Sequence, residues 1–359
     1  MLQDWLLLIV SLGYLGLLFA VAYYGDRQPG SWRGGARESA IYALSLAIYC
    51  TSWTFYGSVG RAATNGADFL LIYLGPVLMI VQGYPLMRKI IDVSQAQNVT
   101  SIADFIGARY GKSRPVAALA ATIAVIGILP YIALQLQAVS QSFEVLAQPT
   151  VAATADGHAP FYRDTALYVA FTMAVFSILF GVRHVQASER HEGMILAIAF
   201  ESLVKLAAFI AAGAFVVFGM FDGLPALLEL AARDAAVRAA VDASQPSTAW
   251  IALTVASAFA FICLPRQFQV AFVAAGRPEN LRTATWLFPA YLVAINLFVP
   301  AIAAAGLVLT GSAAGADGWV LTLPLAADQP LLSVFVFIGG LSAATSIVIV
   351  ASVALSTMV

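Results

Sequence analysis

The chain has 359 residues, of which 61% are hydrophobic and only 10% charged, and its mean hydropathy is +0.87. A soluble domain has roughly half apolar and a quarter charged residues, so the composition excludes an ordinary soluble protein. It indicates an integral membrane protein whose partner is the lipid bilayer. The net charge of −1 gives no support for a nucleic-acid partner.

Apolar runs recur along the whole sequence, and most have the ~20 residues needed to cross a bilayer as a helix. Because lipid cannot satisfy unpaired backbone groups, we predict an all-α protein. The first run lacks a positively charged start and is predicted to be a retained helix rather than a signal peptide. Nine spans are predicted, at about residues 5–25, 39–60, 67–91, 115–147, 164–181, 191–221, 248–275, 283–311 and 330–359.

The loops between these spans differ in their content of Lys and Arg. One set of loops holds twelve of the 18 basic residues, the opposite set holds four, and Lys205 and Arg266 fall inside spans. Basic loops remain on the cytoplasmic side. The N-terminus is therefore predicted outside the cell, and residue 359 near the cytoplasm. The sequence stops inside an apolar run, so we expect a truncated chain.

Two connections show helical patterns of their own. Residues 94–114 carry Ile102, Phe105 and Ile106 at helical spacing, which predicts a short amphipathic helix at the membrane surface. The outer loop at 221–248 is rich in Ala, Leu and alternating charges and predicts a short surface helix. No linker divides residues 1–359, which we interpret as one domain.

Spans two and seven carry polar interruptions near their centres. Residues 49–60, YCTSWTFYGSVG, place hydroxyl, thiol and glycine residues in the middle of span two. Span seven contains CLPRQ at 263–267, where Pro265 removes a helical hydrogen bond and predicts a break around residues 261–265. The two lie five spans apart, like the discontinuous helices of transporters with inverted repeats, which hold a solute near the midplane. The alternative is that the small polar residues mediate close helix packing.

Arg266 is costly inside a span, by at least ~2.5 kcal/mol in insertion experiments. It needs a carboxylate, carbonyls, water or an anionic substrate beside it, unless it extends to the cytoplasmic interface. Together with the polar centre of span two and a polar stripe in span four, it defines the predicted solute site. The substrate-binding candidates are Cys50, Thr51, Ser52, Trp53, Tyr56, Gln137, Gln141, Arg266 and Gln267.

Two further polar groups lie well inside spans. Glu201 and Lys205 in span six are four residues apart, with Glu first, which is the favourable order for an intrahelical ion pair; the alternative is an ion-relay role. In span four, Gln137, Gln141 and Glu144 follow one helical stripe, which is predicted to face the bundle interior or a cavity.

Catalytic signals are missing from the sequence. It contains no phosphate-binding glycine motif and no nucleophile elbow, and its three histidines have no metal-ligand spacing. We therefore predict that this chain is not an enzyme and has neither a cofactor nor a metal site.

Three segments together resemble the membrane domain of CbrA-type bacterial sensor histidine kinases. They are YCTSWTFYGSVG, RHEGMILAIAFESLVKL and ICLPRQFQVAFV. The resemblance covers essentially the whole chain and implies a sodium/solute symporter-like domain with the LeuT-type fold, two inverted five-helix repeats after an extra N-terminal helix. The extra helix would occupy residues 1–30, the first repeat 39–221 and an incomplete second repeat 248–359, with the C-terminal helices and signalling modules absent.

The resemblance also implies a function. The domain would bind and move a small polar solute such as an amino acid, in a bacterial inner membrane. The complete protein would be a histidine kinase with a cytoplasmic response regulator as partner. Two alternatives stay open, namely a self-standing cation-coupled symporter without a signalling role and a receptor that binds solute without transport.

Na⁺ or H⁺ is the coupling ion implied by the resemblance. In the symporter family, sodium lies between carbonyls at the break of the first repeat helix and hydroxyls of the eighth. Here the carbonyls would come from Ile48 and Thr51. Aligned by eye, the hydroxyl positions fall either on Ala343 and Ala344 or, two residues later, on Thr345 and Ser346.

Overall fold

The computed structural model describes residues 4–27, 34–147, 192–244, 247–274 and 277–358, with a few positions between 168 and 178. Predicted span five therefore lies outside the described residues, apart from those few positions. Throughout the described ranges the chain is built from helices. They are α1 (Asp4–Arg27), α2 (Gly35–Ser45), α3 (Ser58–Asn65), α4 (Leu71–Val81), α5 (Tyr84–Ala96), α6 (Ile102–Arg109), α7 (Arg114–Ala147), α8 (Glu192–Phe215), α9 (Leu224–Arg233), α10 (Ala235–Ala243), α11 (Thr248–Cys263), α12 (Pro265–Phe268), α13 (Asn280–Asn296), α14 (Val299–Thr310), α15 (Trp319–Ala326) and α16 (Pro330–Ser356).

Six helical segments of the described residues are long and apolar enough to cross a membrane, and the number is up to seven if α10 and α11 form one bent span. The other predicted spans fail this test where the helix is interrupted or where the residues are not described. Span two, for example, runs as α2 and a 3₁₀ turn (Leu46–Tyr49), and resumes as a π-helical turn (Trp53–Gly57) leading into α3.

Span nine forms the centre of the bundle. In α16, 83% of the most apolar window is buried, compared with 11% in α7. Two small residues explain how neighbours approach it: a Cβ built on Gly340 would lie 1.9 Å from the Tyr56 hydroxyl, and one on Gly339 would lie 2.8 Å from the Phe55 ring. The glycines thus let the second half of span two pack directly on span nine.

Spans three and seven pack with their backbones almost in contact. A Cβ on Gly75 would lie 2.4 Å from the Ala258 nitrogen and 2.5 Å from the Thr254 oxygen. The Ser257 hydroxyl donates to the Leu71 carbonyl over 3.1 Å. This contact fixes α11 against α4 and so positions the break that follows α11.

The short helices outside the spans agree in part with the prediction. The short helix predicted within residues 94–114 is confirmed as α6, and the Ser101 hydroxyl caps it by accepting from the Asp104 N–H at 3.1 Å. The outer loop contains two helices, α9 and α10, where one was predicted. The second helix starts because the Asp234 carboxylate accepts from the Val237 N–H at 2.9 Å, a capping signal that the pattern of charges obscured.

Candidate functional site

The first break, at Cys50 and Thr51, interrupts span two where polar residues predicted it. Cys50 is extended (φ −79°, ψ 105°), and neither residue is helical. The Thr51 side chain closes the turn, since its oxygen accepts from the Trp53 N–H at 3.1 Å. The predicted interruption is therefore confirmed, and Thr51 uses its hydroxyl to restart the helix.

A glutamine of span four contacts the restarted helix. The Gln135 side-chain oxygen, Oε1, accepts from both the Ser52 N–H (3.1 Å) and the Ser52 hydroxyl (2.7 Å). Gln135 is buried, so this oxygen satisfies a helix-start N–H that has no intrahelical partner. Span four thus contacts the first break through Gln135.

The second break, at Leu264, lies where Pro265 predicted it. Leu264 is extended (φ −68°, ψ 129°), and Pro265 begins α12, which continues as a π-helical turn over Gln269–Val273. Pro265 lies at the first position of the new helix, where its missing N–H leaves no bond unmade. The N-terminal end of this nine-residue half-helix is buried inside the bundle.

Side-chain bonds join the two halves at the breaks. Gln267 Nε2 donates to the Leu46 carbonyl over 3.3 Å, and the Tyr42 hydroxyl donates to the Ala271 carbonyl over 2.9 Å. The first half of span two and the second half of span seven are therefore neighbours. Two broken helices, five predicted spans apart, meet in one region.

Arg266 is the charged group of the second break. Its residue is only 3% exposed, and its Nε has no hydrogen-bond partner. The guanidinium carbon lies 4.4 Å from the centre of the Tyr131 ring, a cation–π distance. Among the described residues, no carboxylate lies within 4.0 Å of this guanidinium. The Gln267 side-chain oxygen next to it is also buried without a partner.

Lys205 is the charged group of the first break. Its ammonium donates to the carbonyls of Ala47 (2.8 Å) and Cys50 (2.9 Å), and the residue is fully buried. Both carbonyls lie one residue before the predicted pair, Ile48 and Thr51. The Lys205 side chain therefore crosses from span six to the carbonyl end of the first half-helix.

Glu201 bonds to span nine. Its Oε1 accepts from the Thr345 hydroxyl at 2.6 Å, and its backbone carbonyl accepts from the Ser342 hydroxyl at 2.9 Å. In place of the predicted direct ion pair, these two described side chains have no nitrogen–oxygen contact within 4.0 Å. The i,i+4 spacing places them on one face, but each finds a partner on another helix.

The remaining ion-site candidates on span nine are buried. Thr345 also donates within its own helix toward the Leu341 carbonyl (2.9 Å), and the Ser346 hydroxyl donates to the Ser342 carbonyl at 3.1 Å. Ala343 and Ala344 are fully buried and bring no side-chain oxygen. The Ser342 and Thr345 hydroxyls thus serve the contact with span six, whereas the Ser346 hydroxyl bonds within its own helix.

A cavity of about 370 Å³ opens on the far side of the first break. Trp53 lines it beside the second half of span two, and the segment before α15 closes its opposite wall. Arg61, in α3 on the span-two side of the cavity, lies 3.7 Å from the Asp68 carboxylate. The cavity therefore leads from the surface to Trp53, which begins the π-helical turn after the first break.

The predicted substrate residues are only partly together. Cys50, Thr51, Ser52, Trp53, Tyr56, Arg266 and Gln267 lie at or next to the two breaks, whereas Gln137 and Gln141 are exposed on α7. The sequence reasoning missed Gln135 and Tyr131, which share the inward face of the same helix. Their i,i+4 spacing was the available signal.

The comparisons with known proteins match this architecture. YodF, an uncharacterized symporter of Bacillus subtilis (strain 168), is 28% identical over 117 residues, which cover 32% of this chain. The match spans only 23% of YodF. A Na⁺-coupled sialic acid symporter, solved in a substrate-bound outward-open state, superposes with a TM-score of 0.65 at 16% identity, over 98% of this chain and 72% of that one. No protein-family model matches. The chain is thus a membrane protein with the LeuT-type fold.

Proposed function

We propose that this chain is the membrane domain of a solute transporter and that it binds a small carboxylate-bearing solute, such as an amino acid, between its two breaks. The observation that carries the proposal is Arg266, a buried guanidinium whose Nε is unpartnered and which has no carboxylate beside it among the described residues. A buried charge without a counter-charge is costly. A bound carboxylate would supply the missing partner.

The backbone around Arg266 supports an anionic ligand. Arg266 is the second residue of the half-helix that starts at Pro265, and helix N-termini carry partial positive charge. The dipole and the guanidinium therefore repel each other until an anion is present. A planar guanidinium also matches a carboxylate with two parallel hydrogen bonds.

The other side of the site would come from span two. Ser52 is held by Gln135, and Trp53 separates the break from the 370 Å³ cavity. In the proposed orientation, with the N-terminus outside a bacterial inner membrane, this cavity is the external entrance. Solute would pass Trp53 to reach Arg266, and rocking of one bundle against the other would give access to the other side.

Uptake into proteoliposomes tests the proposal. Wild-type protein is expected to take up at least one labelled amino acid, and an excess of the corresponding amino-acid amide should not compete. Arg266→Gln should lower the affinity roughly 10- to 100-fold, since a hydrogen bond to a charged group contributes about 1.5–3 kcal/mol. Arg233→Gln, at an exposed ion pair with Glu229, is the matched control.

Three outcomes separate the alternatives. If Arg266→Gln behaves like Arg233→Gln, or if the amide competes as well as the acid, the carboxylate site is wrong. Binding with no uptake under either a sodium or a proton gradient identifies a receptor. Uptake by a protein that has no kinase modules beyond residue 359 identifies a self-standing symporter.

We further propose that the complete protein couples this domain to a sensor histidine kinase and a cytoplasmic response regulator. The support is the resemblance carried by the three segments, which include both breaks and the Glu201–Lys205 face. The test is autophosphorylation of the full-length protein in proteoliposomes, with and without the transported amino acid. A rate that the solute leaves unchanged contradicts the coupling.

A further inference from the structure

The carbonyl end of the first half-helix already contains a positive charge. Lys205 Nζ lies 2.8 Å from the Ala47 oxygen and 2.9 Å from the Cys50 oxygen. These carbonyls end the first half-helix, whose C-terminal end carries partial negative charge. An ammonium has three donors and a compact charge, so it suits this pair of carbonyls, which lie one residue before the predicted ion ligands Ile48 and Thr51.

The other groups that a sodium ion would need are engaged or missing. The Thr345 hydroxyl is held against Glu201, whose Oε1 accepts from it at 2.6 Å, and the Ser346 hydroxyl donates to the Ser342 carbonyl of its own helix. Ala343 and Ala344 carry no oxygen in their side chains. Lys205 is also fully buried, so it has no alternative position in water.

The charges of the cluster balance without an added ion. Lys205 supplies one positive charge and Glu201, one turn earlier on α8, supplies one negative charge. The buried residues Tyr14, near Glu201, and Cys50, near Lys205, add no further cation to the pair. Adding sodium next to the ammonium would place two cations together in a low-dielectric interior, where their repulsion is strong.

We propose that Lys205 is a tethered cation that permanently occupies the ion position of the first break, so that this domain uses no sodium there. The inference rests on the proposed transport function and deepens it by naming what replaces the coupling ion at that site. The similarity to a Na⁺-coupled symporter is a similarity of fold, and it does not determine which side chains lie at the first break. Removing the ammonium is expected to create a sodium site between the carbonyls and Glu201.

Sodium alone is the probe, and no solute is present. The purified chain is equilibrated with ²²Na⁺ and its thermal unfolding is followed in NaCl and in choline chloride of equal ionic strength. Wild-type protein should bind no ²²Na⁺ above background and unfold at the same temperature in both salts. Lys205→Ala should bind on the order of tenfold more ²²Na⁺ and be stabilised by sodium, because a ligand of the folded state raises its stability.

Two further variants keep the test decisive. Lys205→Met retains most of the side-chain volume if Lys205→Ala fails to fold, and should also bind sodium. Lys205→Met combined with Glu201→Gln removes the negative charge and should lose that binding. The proposal is wrong if the wild-type protein binds ²²Na⁺ stoichiometrically and Thr345→Val abolishes that binding. It is also wrong if the Lys205→Met variant folds and does not bind sodium. Because the assay contains no solute, failure of the carboxylate site leaves its outcome unaffected.

Discussion

A buried cationic side chain lies at each of the two breaks of the bundle, but the two side chains differ in their bonding partners. At the first break, Lys205 meets the carbonyl end of a half-helix and bonds to two of its oxygens. At the second, Arg266 lies at the N-terminal end of a half-helix and keeps an unpartnered Nε. The helix dipole favours the first arrangement and opposes the second. The first break is therefore neutralised within the chain, whereas we propose that a bound anion completes the second.

We propose that this difference lets a fold shared with a sodium-coupled symporter hold a different arrangement of charges. The backbone brings a C-terminal and an N-terminal half-helix end into one region of the bundle. A single side chain from a neighbouring span, Lys205, supplies a counter-charge to the C-terminal end. The placement of the two half-helix ends belongs to the fold, which is similar at 16% sequence identity. The counter-charge at each end depends on individual residues such as Lys205.

Removal of the Lys205 ammonium is expected to give the largest effect. Lys205→Ala leaves two buried carbonyls without their donor and Glu201 without a nearby positive charge, so stability should fall by ~3–5 kcal/mol. Denaturant unfolding of the purified chain in choline chloride measures it. Lys89→Ala, at an exposed lysine, is the control. Equal stability of the two variants would mean that the first break does not depend on its cation.

The close contact between spans three and seven provides a test of how the second break is positioned. Gly75→Ala places a methyl group against the Ala258 nitrogen and the Thr254 oxygen, and such overpacking typically costs ~1–3 kcal/mol. Gly127→Ala is the control, since no atom lies within 4 Å of a Cβ built there. Thermal unfolding compares them. If Gly75→Ala is as stable as Gly127→Ala, α11 does not rest on α4 as described.

An effect of the same size as that of Gly75→Ala is expected at the contact of span four with the first break. Gln135→Leu leaves the Ser52 N–H and hydroxyl without their acceptor, at a cost of ~1–3 kcal/mol. The matched control is Gln137→Leu, two residues away on the exposed side of α7. Denaturant unfolding should separate the variants. A larger loss for Gln137→Leu would restore the orientation of span four predicted from the sequence.

The sequence predicted the breaks well because their causes are local. Pro265 cannot continue a helix without losing a hydrogen bond, and the polar residues of YCTSWTFYGSVG are expensive in lipid unless the chain around them is interrupted. The LeuT-type fold also agrees with the resemblance. These signals act within a few residues and need no knowledge of neighbouring helices.

The partners of Lys205 and Gln135 could not be predicted in the same way. The i,i+4 spacing pointed Lys205 toward Glu201, because the carbonyls of Ala47 and Cys50 become neighbours only after the bundle assembles. Span four is apolar on nearly all sides, so periodicity hardly fixes its rotation. Pro130 inside α7 weakens the pattern further, since a proline bends the helix that follows it.

Thermal unfolding of the wild-type chain with amino acids and their amides, in NaCl and in choline chloride, tests the contrast between the breaks most directly. We predict that at least one amino acid raises the unfolding temperature, that its amide does not, and that the shift is the same in both salts. A shift that requires sodium, an amide that stabilises as well as the acid, or a complete absence of stabilisation by carboxylates would contradict the account.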